Sequence, residues 1–103
     1  MPARNRTRYD IYADIMLVIK FYGNAGISQI ARRANLPVDR AKSIVEFMCY
    51  RGLLIKEKNT GDGPLWIYSA TERGFKYLAL YKELSRLVAE LTQEEIDLIN
   101  EMI

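Results

Sequence analysis

The residues of this chain that are equipped for chemistry are almost all cations and small polar groups. Arg40, Lys42 and Ser43 fall within four positions. Lys56 and Lys58 are two apart, Ser28, Gln29, Arg32 and Arg33 form a third set, and Arg4, Arg6 and Arg8 alternate through an opening stretch with no acid. A guanidinium fork suits phosphate oxygens and the paired acceptors of a guanine edge, and an ammonium suits phosphate as a point charge. The inventory for catalysis is poor. One cysteine and no histidine leave no Ser-His or Cys-His pair, no structural zinc site and no internal disulfide within one chain. Cys49, on the margin of an apolar arc, reads as a small core residue. The loop NTGDGP has glycines but lacks the lysine, and the Ser or Thr following it, of a phosphate-cradling loop. No catalytic residue, metal or cofactor is therefore expected, and the chain does not read as an enzyme.

Length and charge set the frame for these groups. A chain of 103 residues, half of them apolar, can bury one modest core, so a single domain with an appendage is expected. No apolar run reaches the roughly 18 residues of a membrane span, and no signal peptide precedes the first helix pattern, so a soluble, cytoplasmic protein is expected. The net charge is only +2, but it is unevenly distributed. Residues 1–82 hold 14 Lys and Arg against 7 Asp and Glu, whereas 83–103 hold Arg86 alone against six acids, or +7 and −5. A basic body attracts phosphate, and an acidic end faces away from it.

The elements that must position the cations are legible in Ser28 to Leu54. A short helix pattern, an Asn-Leu-Pro break, a longer helix pattern and an Arg51-Gly52 stop follow one another there, the grammar of a helix-turn-helix. Ser28 is the expected cap of the first of these helices, with Ile30, Ala31 and Ala34 inward. Pro37 is expected at the first position of the second helix, with Asp39 near the positive end of its dipole. In that helix Val38, Ala41, Ile44, Val45, Met48 and Cys49 fill one arc. Asp39, Arg40, Ser43, Glu46, Phe47 and Tyr50 lie opposite, with Lys42 at the edge. Upstream, Ile11, Tyr12, Ile15, Val18, Ile19 and Tyr22 share one arc of a helix over Tyr9 to Tyr22, ended by Gly23, while Leu17 and Phe21 form a second stripe.

Downstream, LLIKEK, NTGDG and PLWIYSA predict a two-stranded hairpin, a wing, with Leu54, Lys56 and Lys58 in one phase. Thr71 is the expected cap of a long last helix. Tyr77, Leu80, Leu84, Leu87, Leu91 and Leu98 form a heptad-like seam along it, beside a stripe of Phe75, Leu78, Tyr81 and Val88, so one stripe can cover the domain and the other a second copy. Thr92-Gln93-Glu94-Glu95 has the T-x-x-E form of a capping box, which leaves open whether the helix continues or restarts there. The expected fold is α+β, mostly helical. It comprises a basic arm (1–8), a winged helix-turn-helix domain (9–74) and a C-terminal dimerisation helix or helices (75–103).

Four segments together carry a resemblance: R-T-R-Y-D-I-Y-A-D-I from Arg6 to Ile15, S-Q-I-A-R-R-A-N-L from Ser28 to Leu36, R-G-L-L from Arg51 to Leu54, and Y-S-A-T-E-R-G-F-K-Y-L from Tyr68 to Leu78. In order and spacing they resemble the archaeal 10a-type winged-helix DNA-binding proteins and related small regulators, over roughly residues 6–90. The resemblance implies a homodimer held by antiparallel C-terminal helices, with a winged helix at each end, acting on chromatin or transcription. The chain departs from that pattern at Pro37, where a polar cap is common, and in its acidic extension.

The expected function is double-stranded DNA binding as a homodimer. Helix 38–51 would lie in the major groove with Arg40, Lys42 and Ser43 leading, Ser28, Gln29, Arg32 and Arg33 on the backbone, Lys56 and Lys58 of the wing on the minor groove or its phosphates, and Arg4, Arg6 and Arg8 as a phosphate-contacting arm. A small-molecule effector is an addition without a supporting residue. The competing expectation is a protein-docking winged helix that uses Phe47, Tyr50, Leu17 and Phe21.

Overall fold

The first helix begins where Thr7 and Asp10 exchange hydrogen bonds. The Asp10 amide donates to the Thr7 hydroxyl at 3.2 Å and the Thr7 amide to the Asp10 carboxylate at 2.8 Å, a reciprocal cap that satisfies two orphan donors. A computed structural model describes residues 6–89 and 93–102. Its elements are α1 (Arg8–Tyr22), α2 (Ile27–Arg33), α3 (Val38–Tyr50), β1 (Leu54–Lys58), β2 (Trp66–Ala70), α4 (Glu72–Ala89) and α5 (Gln93–Met102). Arg4, Leu91 and Thr92 lie outside the described residues. The α4 and α5 helices are separate elements.

Both helix ends that define the helix-turn-helix close in the same way. After α2, Asn35 takes a left-handed φ of 57°, the Leu36 amide donates to the Ala31 carbonyl at 2.8 Å, and the Asn35 amide reaches Arg32. After α3, Gly52 takes φ 77°, and the Leu53 amide donates to the Met48 carbonyl at 2.9 Å. These are paired 6→1 and 5→2 closures, each needing one residue that tolerates positive φ. The helix starts differ from expectation. Gly26 occupies the cap position of α2 without a side-chain bond, which places Ser28 inside the first turn. Pro37 is the cap of α3 at ψ 146°, one position earlier than expected. Proline accepts that geometry because its ring holds φ at −59°, which suits an extended ψ, and the missing N–H costs no helix bond at the start.

The hairpin pairs Leu54 with Ala70, Lys56 with Tyr68 and Lys58 with Trp66 in antiparallel register. Tyr68 also exchanges both backbone hydrogen bonds with Ala25, at 3.1 and 2.8 Å, so the segment between α1 and α2 forms a one-residue third strand. The core lies among Ile15, Met16, Ile19, Ile30, Val45 and Met48, all fully buried, with Leu54, Tyr68 and Leu78 closing it. Two residues of the expected inward arcs lie outside this core. Val38 is 53% exposed at the start of α3, where it borders an open cleft, and Tyr22 is 39% exposed at the end of α1. Met16 and Ala13 are buried instead. Helix α1 is covered by α2 on one side and by α4 on another, which widens its buried arc.

Thr71 begins α4 as expected and also ties it down. Its hydroxyl accepts from the Gly74 amide at 3.0 Å and donates to the Gly52 carbonyl at 2.6 Å. Farther along, Tyr81 donates to Asp10, and the Tyr77 hydroxyl donates to the Tyr9 carbonyl at 2.6 Å. Burial, with Tyr81 and Tyr12 alongside, pushes the Tyr77 phenol up to about 12 from 10.0. A raised acid pKa stabilises the fold while the phenol stays neutral, so this contribution is intact below pH 10 and lost as pH rises through about 12. Thermal melts between those values are expected to show falling stability for the native chain and a shallower fall for Tyr77→Phe.

Candidate nucleic-acid interface

Three elements converge on one cleft. Ile27 and Ser28 of α2, Val38 and Lys42 of α3, and Lys56, Pro64, Leu65, Trp66 and Tyr68 of the hairpin line a space of about 440 Å³. The hairpin is held there by a close approach, since a Cβ on Gly26 would stand 2.7 Å from Pro64 Cγ. Strand alternation places Leu54, Lys56 and Lys58 on one face. Leu54 is buried, whereas Lys56 and Lys58 lie on the part of the sheet that overhangs the core and are exposed. The Lys56 ammonium sits 4.7 Å from the centroid of the Trp66 ring, a cation–π contact that orients it along the cleft. Ser28, Gln29 and Arg32 line an adjoining space of about 390 Å³ with Gly26 and Pro64.

The hairpin tip is preformed by one side chain. The Asn59 amide donates to the carbonyls of Asp62 and Pro64 at 3.1 and 2.9 Å, and its oxygen accepts from the Gly61 amide at 3.2 Å. Sequence reasoning assigned the tip to its glycines and missed Asn59. The available signal was an Asn two residues before a Gly, the pattern of an Asx turn. Trp66 was likewise missed as a site residue. Its period-2 relation to Tyr68 puts it on the lysine face.

On α3 the expected reading residues do not converge. At 3.6 residues per turn, Arg40 and Lys42 are about 160° apart around the axis. Lys42 faces the hairpin cleft, whereas Arg40 lies toward Phe47, whose ring stacks on Tyr12 at 5.9 Å. Asp39, Ser43, Glu46 and Tyr50 occupy the centre of the exposed face, all solvent-accessible. The Ser43 hydroxyl donates to the Asp39 carbonyl at 3.2 Å, one turn back.

The arginines outside α3 divide. Arg6 is not a free phosphate contact: it pairs with Asp14 at 2.9 Å and donates to the carbonyls of Ala34 and Asn35 at 2.6 and 2.9 Å. It thereby joins α1 to the turn before α3 and satisfies carbonyls at the end of α2. Its acceptors are distant in sequence, which hid this role. Arg33 turns toward α1, 5.6 Å from the Tyr22 ring, away from Arg32. Arg8 lines a third groove of about 530 Å³ with Tyr9, Tyr12, Phe47, Arg51, Leu53, Arg73, Lys76, Tyr77 and Leu80. That lining carries four cations and no carboxylate. Burial pushes the Cys49 thiol up, with Lys56 opposing and Glu46 adding, so the thiolate needed for reactivity is disfavoured.

The seam residues also separate. Tyr77 is packed into the chain's own core margin, whereas Leu80, Leu84 and Leu87 are 57%, 63% and 75% exposed, and Leu98 of α5 is exposed as well. Of the neighbouring stripe, Leu78 is buried and Val88 is exposed. Among the described residues no helix is long and apolar enough to cross a membrane, and no cluster of His, Cys, Asp or Glu is placed to hold a metal ion.

A sequence family described as winged helix-turn-helix matches residues 5–89. No curated protein matches the chain in sequence. Among solved structures it is similar to the DNA-binding protein Sso10a-2 from Sulfolobus solfataricus, with a TM-score of 0.76 and 18% identity over 95% of this chain and 97% of that one. It is also similar to BpsR of Bordetella bronchiseptica, whose DNA binding is regulated by 6-hydroxynicotinic acid (TM-score 0.67, 12% identity, 99% and 80% covered). A MarR family transcriptional regulator from Silicibacter pomeroyi matches with TM-score 0.63 and 18% identity over 88% of this chain. The chain spans 64% of that regulator's length.

Proposed function

The chain belongs to the winged helix-turn-helix family, and from that premise we propose that it binds double-stranded DNA as a homodimer and regulates transcription or organises chromatin. The observation that carries this reading is the convergence of Ser28, Lys42 and Lys56 from three elements on the cleft beside Trp66. Lys42 and the exposed face of α3 would enter the major groove, with Ser28, Gln29 and Arg32 on one flanking backbone and Lys56 and Lys58 on the other. Arg40 would reach the duplex from the far edge of α3. Asp39 and Glu46 on the same face are repelled by phosphate, which disfavours sequence-blind use of the helix. Its likeness to the DNA-binding protein Sso10a-2 over nearly the whole of both chains supports the DNA-binding reading. The exposed Leu80, Leu84 and Leu87 supply the surface for the second copy.

Binding of a mixed-sequence duplex as a function of salt tests this. Replacing Lys56 and Lys58 by alanine is expected to weaken binding to all sequences and to flatten the log–log salt slope by about 1 per lost phosphate contact. An unchanged slope removes the wing from the interface. Phe21 and Tyr50, 80% and 83% exposed, favour a second reading in which the surface docks a protein. That reading requires negligible duplex binding near physiological ionic strength.

A further inference from the structure

We propose that the groove between the start of α1, the end of α3 and α4 receives the acidic helix α5 of a second copy of this chain. The inference rests on the self-association proposed above and extends it to a specific contact. Helix α5, Gln93–Met102, holds Glu94, Glu95, Asp97 and Glu101 and no cation. Helical spacing puts Glu94, Leu98, Glu101 and Met102 on one face, acidic along one edge and apolar along the other. Leu98 and Met102 are 57% and 78% exposed, so the chain's own fold does not cover this face. The groove is its complement: Arg8, Arg51, Arg73 and Lys76 supply charge, while Phe47 and Leu80 supply apolar wall. Phosphate alone would leave that wall unused.

The exposed stripe of α4 sets the orientation. Leu80 belongs both to the groove and to the stripe that continues through Leu84 and Leu87. Parallel pairing of two such stripes would bring the acidic helices together. Antiparallel pairing about the midpoint between Leu84 and Leu87 sets residues about ten positions to either side opposite each other, and these are Lys76 and the start of α5. The four residue steps from the end of α4 to the start of α5 span at most about 14 Å, so α5 stays at that end of α4 and beside the other copy's Arg73 and Lys76. The docked helix sets Glu94 and Glu101 against the cations of this groove and Leu98 against Leu80.

Paired charge reversals followed by sedimentation equilibrium test this contact. Arg73→Glu with Lys76→Glu, and separately Glu94→Lys with Glu101→Lys, are each expected to raise the self-dissociation constant about tenfold, since opposed like charges replace attracted ones at two symmetric sites. An equimolar mixture of the two variants is expected to associate within about threefold of the unaltered chain, because unlike copies restore both contacts. That rescue also shows that both variants fold. Unchanged association of either variant, or no rescue in the mixture, overturns the proposal. So does a groove variant that loses duplex affinity while its self-association is intact, which would make the groove a phosphate surface. If the reversals are silent but Leu84→Asp with Leu87→Asp dissociates the chain, the stripe pairing stands and only the docking of α5 falls. A chain that is monomeric at every concentration removes both.

Discussion

Placing aspartate at both Leu84 and Leu87 is expected to convert a dimer to an 11.9 kDa monomer and to lower duplex affinity by about 10² to 10⁴. The stripe is apolar on a helix face that the chain itself leaves open, with Leu84 and Leu87 at 63% and 75% exposure. Covering a leucine fully contributes about 1.5–3 kcal/mol, and a symmetric contact counts each leucine twice. Aspartate removes that gain and adds a carboxylate that must be desolvated if the helices are to meet. The affinity loss follows from linkage of two modules on one duplex, where the second contact is intramolecular once the first has formed. Because neither leucine contributes to the core, circular dichroism of the variant should match that of the unaltered chain. Sedimentation showing no change of mass would leave the stripe for another partner.

The second large effect concerns stability. Gly74 is the third residue of α4, and a Cβ built there would fall on the Leu53 carbonyl and stand 2.9 Å from Met16 Cε. The Leu53 carbonyl is itself held, because it accepts from the Thr71 amide at 3.2 Å and lies 3.2 Å from the Thr71 hydroxyl, whose one hydrogen goes mainly to the neighbouring Gly52 carbonyl. The methionine can swing aside and the carbonyl cannot. Gly74→Ala is therefore expected to cost about 2 kcal/mol by overpacking, after the gain of up to about 1 kcal/mol that alanine brings to a helix. For a domain of this size that lowers Tm by roughly 8–16 °C. Gly61→Ala is the matched control. Its Cβ would meet only Asn59 Oδ1 at 3.8 Å, and its Tm should stay within a degree or two. Equal melting of the two variants would mean that the α4–Leu53 contact relaxes freely.

Local periodicity made much of this fold readable. The arcs of α1 and α3, the alternation of Leu54, Lys56 and Lys58, the cap at Thr71 and the stop at Gly52 are each set by residues within one or two turns of one another. The contacts that escaped join distant parts of the chain. Arg6 looked like part of a loose basic arm over residues 1–8 because Asp14, Ala34 and Asn35 are 8 to 29 positions away. Ser28 looked like a cap because Gly26 offers no side chain. What selected Gly26 was the approach of Pro64 from the hairpin, invisible to any window along the sequence. At the candidate interface the residue types were legible, but their grouping was not. Arg40 and Lys42 are neighbours in sequence yet face opposite edges of α3, while Lys42 and Lys56 share one cleft.

The one-residue strand at Ala25 bears on time rather than on shape. Strand β2 pairs in register with β1 on one side, while Tyr68 gives both of its backbone hydrogen bonds to Ala25 on the other, so the hairpin cannot lift from the helix-turn-helix without breaking the bonds to Ala25. Hydrogen exchange should then report a single opening event for the amides of Ala25, Tyr68 and the core of α3, all protected to the limit of global unfolding. Glu57 and Thr60, farther out, should exchange on their own faster clock. A duplex bound as proposed would encounter wing and helix at a separation set before they meet.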